Sequence, residues 1–175
     1  MLAKRILIVD DADDWRDLLQ ASLRRLKYDV DTAADFDEAV ERLDYAEVEL
    51  VVVDLRLDPA DEDNRDGMKL LAELNRRSIN ALVVTGIGNM QLRSQAISFE
   101  AITFIEKSLI SRNIDTLREV VERIFNEMET RDEKRATLTE QLLRGQAVGF
   151  PSEAAGYPLR EPLSDALNAV LNKSI

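Results

Sequence analysis

The chain has no cysteine and no histidine among its 175 residues. Disulfides, thiolate metal sites and thiol nucleophiles are therefore excluded. So are imidazole zinc sites, Ser-His-Asp hydrolysis and any phosphohistidine of the chain's own. Acid–base work falls to carboxylates or lysine. No apolar run approaches the roughly 18 residues of a membrane span. The opening MLAKRILIVDD lacks a signal-peptide core and cleavage site. A soluble, cytoplasmic protein is expected. Basic residues are short at one end only. Residues 1–64 hold 19 acids and 8 bases, whereas residues 65–175 hold 15 of each, so the whole net charge of -11 sits in the first third. Such a field repels nucleic acid, and direct nucleic-acid binding is not expected. It favours a small cation instead.

What is present alternates between strand-like and helix-like runs. RILIVD (5–10), ELVVVD (49–54) and ALVVT (81–85) are continuous apolar stretches suited to strands buried on both faces. AITFIEK (101–107) is a fourth, and YDVDTAA (28–34) a weaker, edge-like one. Trp15, Leu18, Leu19, Leu23 and Leu26 follow helical spacing. Asp35 with Glu38 reads as a capping pair ahead of Ala39, Val40 and Leu43. Gly67 opens a helix carrying Leu70, Leu71 and Leu74. A further helix is expected over about 89–98, on the same periodicity. The last begins near Ile114, with Leu117, Val121, Ile124, Phe125 and Met128 on one stripe, and runs to Leu143. Repeated β-then-α units imply an α/β fold, a doubly wound parallel sheet of five strands. This domain is expected over residues 1–128. Residues 129–175 form a helical extension, a connector and a short amphipathic helix from Pro162 to Leu171. The connector is marked by Gly145, Gly149, Pro151, Gly156, Pro158 and Pro162.

In such a sheet the site lies beyond the carboxyl ends of the strands. The first strand delivers Asp10 and Asp11 there, the third Asp54, the fourth Thr85 followed by Gly86, and the fifth Lys107. Each has an ordinary reading alone, as a turn residue, a cap or a solvated charge. Their coincidence at strand ends is what singles them out. Asp13 and Asp14 suit the positive start of the first helix.

The stretches ILIVDD, LVVVDLRL, DGMKLL, LVVTG and ITFIEKS resemble the receiver domain of bacterial two-component response regulators. The resemblance covers about residues 3–126 and implies the strand order 2-1-3-4-5. It implies that Asp54 takes a phosphoryl group from a phosphohistidine on a partner kinase or phosphotransfer protein. It implies Mg2+ held by Asp10, Asp11, Asp54 and the backbone carbonyl of Arg56. Lys107 and Thr85 would bind phosphoryl oxygens, Gly86 would leave room for them, and Thr85 with Phe104 would form the switch. A receiver of this kind is a signalling domain that catalyses only its own phosphoryl transfer and dephosphorylation. The side chain of Asp54 is expected at the surface.

Three departures stand out. Ser108 follows Lys107 where the family usually has proline. Glu100 sits where a glycine often ends a helix. The stretch between Asp54 and Gly67, LRLDPADEDNRD, is longer than usual and acidic. They keep a second reading open, a receiver-like interaction module that no longer takes phosphate. A haloacid-dehalogenase-like phosphohydrolase would need an acid two residues after the nucleophile, and that position is Arg56. The apolar residues Leu138, Leu142 and Leu143 at the end of a long helix suggest a homodimer through that helix.

Overall fold

The computed structural model describes residues 3–57, 65–86 and 102–143. The expected helix at 89–98, most of the acidic stretch before Gly67, the glycine- and proline-bearing connector and the helix from Pro162 lie outside the described residues. The chain divides into two compact units, Met1–Val121 and Glu122–Ile175.

The first unit is built on a parallel sheet in the order β2-β1-β3-β4-β5. Its strands are β1 (Arg5–Val9), β2 (Asp29–Ala33), β3 (Leu50–Val53), β4 (Asn80–Thr85) and β5 (Ile102–Glu106). The two most apolar strands, β1 and β3, pair with each other at the centre, Ile6 opposite Leu50 through Val9 opposite Val53. Strands covered on both faces can afford no polar side, and Ile6 to Val9 are fully buried. Each such side chain stabilises the fold by roughly 1.5–3 kcal/mol through burial. β2, with its alternating aspartates, is an edge strand.

The helices are α1 (Asp13–Arg25), α2 (Phe36–Tyr45), α3 (Asp66–Arg76), α4 (Lys107–Arg112) and α5 (Asp115–Leu143). Side chains alternate along a strand, so odd and even positions face different helices. Leu7, Val9, Val51, Val53, Ala81 and Val83 share a core with Leu43 of α2 and Leu70, Leu71 and Leu74 of α3. The opposite parity carries Ile8, Val52 and Val84, on the side of α1. There, Leu23 of α1 and Leu26, just past its end, share a groove with Leu117 of α5.

The local signals act as expected where side chains cap the backbone. Asp35 accepts from the Glu38 amide at 2.8 Å, and Glu38 accepts in return from the Ala34 amide at 2.8 Å. The apolar line of α1 is narrower than its sequence suggests. Leu19 and Leu23 are buried, but Leu18 is 42% exposed, because it lies one position off the line that faces the sheet. The long helix starts at Asp115, one residue past Ile114, where the Asn113 side chain accepts from the Asp115 amide at 3.0 Å.

α2 and α3 are tied at their surface. Arg77 pairs with Glu73 at 2.6 Å and with Asp44 of α2 at 2.7 Å, and Arg76 also reaches Glu73 at 2.6 Å. Hydrogen bonds from Arg76 and then Arg77 lower the Glu73 carboxyl to about 2. A carboxyl depressed on folding adds stability above its unfolded value and loses it as pH falls toward the folded one. Glu73→Gln should therefore cost on the order of 1 kcal/mol at pH 7, the scale of a surface ion-pair network. That difference should shrink from pH 4.5 down to about 2, as read from denaturation midpoints.

Candidate functional site

The strand parity that fills the core also aims the acids. Asp10 continues the Ile6, Ile8 side of β1, and Asp54 continues the Leu50, Val52 side of β3. Because β1 and β3 are neighbours in register, the two carboxylates emerge side by side at the same end of the sheet. Their backbones are fixed by the ladder, with the Asp54 amide donating to the Val9 carbonyl at 2.9 Å and the Asp10 amide to the Ala33 carbonyl at 3.3 Å.

Asp10, Asp11 and Asp54 each offer a carboxylate oxygen within 4.8 Å of the others. Lys107 closes the group. Its Nζ lies 2.6 Å from Asp54 Oδ2 and 2.7 Å from Asp10 Oδ2. The other oxygens face backbone amides, Asp10 Oδ1 accepting from Ala12 at 3.0 Å and Asp54 Oδ1 from Arg56 at 3.2 Å. The guanidinium of Arg16 donates to the Asp10 carbonyl and pairs with Asp13.

The site is drier than the sequence suggested. Asp54 is 7% exposed and Asp10 1% exposed, so the expectation of a surface Asp54 is corrected. The cause is the short register of β3, which ends one residue before Asp54 and leaves it under Lys107, with the buried Leu55 following. Burial pushes the Asp10 carboxyl above its usual range, and the Asp54 charge adds to this, against hydrogen bonding and attraction from Lys107. Burial acts to lower the Lys107 ammonium, but the Asp54 charge and the bonds to both aspartates outweigh it, and its pKa is raised.

Three carboxylates facing one ammonium leave a charge of -2 when all are ionised. Among the described residues, buried Asp10 Oδ2 has only the Lys107 ammonium beside it, at 2.7 Å. An all-oxygen cluster with that deficit fits a hard divalent cation such as Mg2+. The residues that could hold it are Asp10, Asp11, Asp54 and the Arg56 carbonyl.

Thr85 ends β4, 5% exposed, opposite Glu106 of β5. Gly86 is exposed, and among the described residues nothing stands within 4 Å of a Cβ built on it. Phe104 pairs in register with Val83 and is partly buried against the core of α2 and α3. Asp13 and Asp14 occupy the first turn of α1. Lys107 is not the last residue of a strand, as the sequence suggested. β5 ends at Glu106, and Lys107 is the first residue of α4, a six-residue helix that sequence reading missed. Ile110, 1% exposed, anchors this helix. Among the described residues no peptide bond is cis, and the bond to Ser108 is trans.

Two contacts around the site escaped sequence reading. Trp15 lies with its ring centroid 5.1 Å from Lys107 Nζ. Gly67 packs so closely on the segment after β3 that a Cβ would stand 2.5 Å from the Leu55 carbonyl oxygen and 2.6 Å from that of Asp54. Neither contact has a local sequence signal, since each joins segments far apart in the chain.

The model of the family described as response regulator receiver domain matches residues 6–127. The chain is 31% identical over 123 residues to the response regulator protein PilR of Pseudomonas aeruginosa, covering 69% of this chain and 26% of that protein. The chain thus spans about a quarter of that relative's length. Among solved structures it is similar to the receiver domain of NtrX from Brucella abortus, at 32% identity and a TM-score of 0.60, covering 69% of this chain and 98% of that one. It is also similar to the response regulator TrrA from Thermotoga maritima in complex with Mg2+ and BeF, at 26% identity and a TM-score of 0.57, covering 69% and 98%.

Proposed function

The chain belongs to the response regulator receiver domain family of two-component signalling, and from that footing we propose that it is a phosphorylation-dependent switch whose acceptor is Asp54. The observation that carries this reading is the carboxylate cluster closed by Lys107. A carboxylate oxygen of Asp54 attacks the phosphorus of a phosphohistidine on a partner kinase or phosphotransfer protein. The phosphorus–nitrogen bond breaks, and the imidazole leaves with the electron pair. Asp10, Asp11, Asp54 and the Arg56 carbonyl would hold Mg2+, which supplies charge neutralisation for the incoming phosphoryl group. Lys107, already ion-paired with Asp54, is placed to bind one phosphoryl oxygen, and Thr85 another. Gly86, which has no side chain, leaves room for the group. Thr85 and Phe104 then change position and alter the surface that a protein partner reads.

We take the receiver domain as residues 1–128 and the extension as 129–175, in a protein that works in the cytoplasm. Among the described residues no helix is long and apolar enough to cross a membrane. The replacement of the family's usual proline by Ser108, at the start of α4, favours one second reading, an interaction module that no longer takes phosphate. Beryllofluoride, a phosphoryl mimic, separates the two. Binding that requires Mg2+ supports the switch; absence of binding supports the module. Asp11→Ala should lower Mg2+ affinity at least about 10-fold, because it removes one ligand and one charge from a small set. Unchanged metal titration in that variant would move the metal elsewhere.

The helix past Val121 supports a dimer. From Asn126 to Gln141 every described side chain is exposed or half-exposed, and Leu138 is 53% exposed. In proteins most helical stability comes from packing one face of the helix rather than from propensity. A second copy, related by two-fold symmetry, is the partner we assign to it. Truncation after Arg135 should give a folded monomer that still takes phosphate. Sedimentation of the full chain as a monomer at high concentration, phosphorylated or not, would overturn the dimer.

A further inference from the structure

We propose that Trp15 is a positioning residue that holds the Lys107 ammonium in place at Asp54; this rests on the reading of Lys107 as a phosphoryl-binding group. The ammonium is surrounded by unlike neighbours. Asp54 and Asp10 take it at 2.6 and 2.7 Å, and the face of the Trp15 ring lies 5.1 Å away. The Lys107 side chain is only 15% exposed. A lysine has three donors on a flexible four-carbon stem, and two carboxylates account for two of them. Without a neighbour on the remaining side, the ammonium would swing toward water.

The ring supplies that neighbour without competing for the carboxylates. Its negative face attracts the cation, and the attraction grows as water is excluded. Packing explains only part of the position of Trp15. It heads the line of Leu19 and Leu23 on α1, which accounts for its half-buried body. An aliphatic residue would satisfy that line equally well. Only an aromatic face also attracts an ammonium placed beside it. The consequence is preorganisation, with Lys107 held where an incoming phosphoryl oxygen will need it rather than recruited afterwards.

The test is a double-mutant cycle on the full chain, with beryllofluoride as probe, saturating Mg2+, and calorimetric titration as readout. Trp15→Leu should weaken beryllofluoride binding about five-fold, and Trp15→Phe no more than about two-fold, following the order of ring strengths. In a Lys107→Gln background, Trp15→Leu should add no further loss, because the cation it guides is gone. Thermal melts with Mg2+ establish that each variant is folded. If the leucine variant is not, Trp15→Met runs the same cycle. Wild-type affinity in the Trp15 variants would overturn the proposal. An equal loss in the Lys107→Gln background would also overturn it, by showing that Trp15 acts through packing alone. If Lys107→Gln itself leaves the affinity unchanged, the reading of Lys107 fails first and the proposal falls with it.

Discussion

Asp54→Asn should abolish labelling by a small phosphodonor such as acetyl phosphate while leaving a folded protein. The loss should be complete within detection, because an amide oxygen is too poor a nucleophile to form the acyl phosphate and the carboxylate is the reacting group. The stability effect is a balance, since Asp54 is buried. Asparagine is nearly isosteric and keeps an oxygen for the Arg56 amide. It loses the charge-assisted bond to Lys107, on a scale of about 1.5–3 kcal/mol. It also removes one of two adjacent buried negative charges, and Lys107 retains Asp10 at 2.7 Å. These oppose each other, so the net change should stay within about 2 kcal/mol. Phosphate-affinity electrophoresis and a thermal melt read the two parts separately. Alkali-resistant label on the variant would show that another residue is modified.

The sheet was legible because its signals are local. RILIVD and ELVVVD are apolar on both parities, and only a doubly covered central strand requires that. The aspartates of β2 marked it as an edge. The carboxylate cluster was legible for a related reason, since strand order carries the ends of β1 and β3 to one place and Asp10 and Asp54 stand at those ends. Burial was not legible. Whether Asp54 is wet depends on Lys107 closing over it, a contact 53 residues away in sequence. The ends of α1 and α3 carry no sequence signal, for another reason. α1 and α3 are followed by Lys27 and Ser78 in the left-handed region, with φ of 69° and 57°. Glycine usually marks that position, and neither residue announces it. α4 was missed because its six residues are too few to show a period.

Gly67→Ala should be strongly destabilising, and it tests how rigidly the segment after Asp54 is held. In an isolated helix the change would help, since alanine is favoured over glycine by about 1 kcal/mol. Gly67 lies in the first turn of α3, so this gain is available in principle. The steric cost opposes it. The new Cβ would stand 2.5 Å from the Leu55 carbonyl oxygen, 2.6 Å from the Leu55 carbonyl carbon and 2.6 Å from the Asp54 carbonyl oxygen. These are backbone atoms, which cannot rotate aside as a long side chain could. Overpacking costs about 1–3 kcal/mol and sometimes more, and contacts this short belong at the upper end. The clash therefore wins, with a net loss of about 2 kcal/mol and a fall in melting temperature of roughly 5–10 °C. Relief can come only by moving the start of α3 or the backbone between Asp54 and Arg56. The second route also shifts the carbonyl that we assign to the metal, so Mg2+ affinity should fall along with stability. Gly86→Ala is the matched control. It lies beside the same site, but no described residue stands within 4 Å of its added Cβ, so its melting temperature should stay near that of the parent chain. Equal melting temperatures for the Gly67 and Gly86 variants would show that the segment after Asp54 yields freely, and that the close approach of α3 does not fix it.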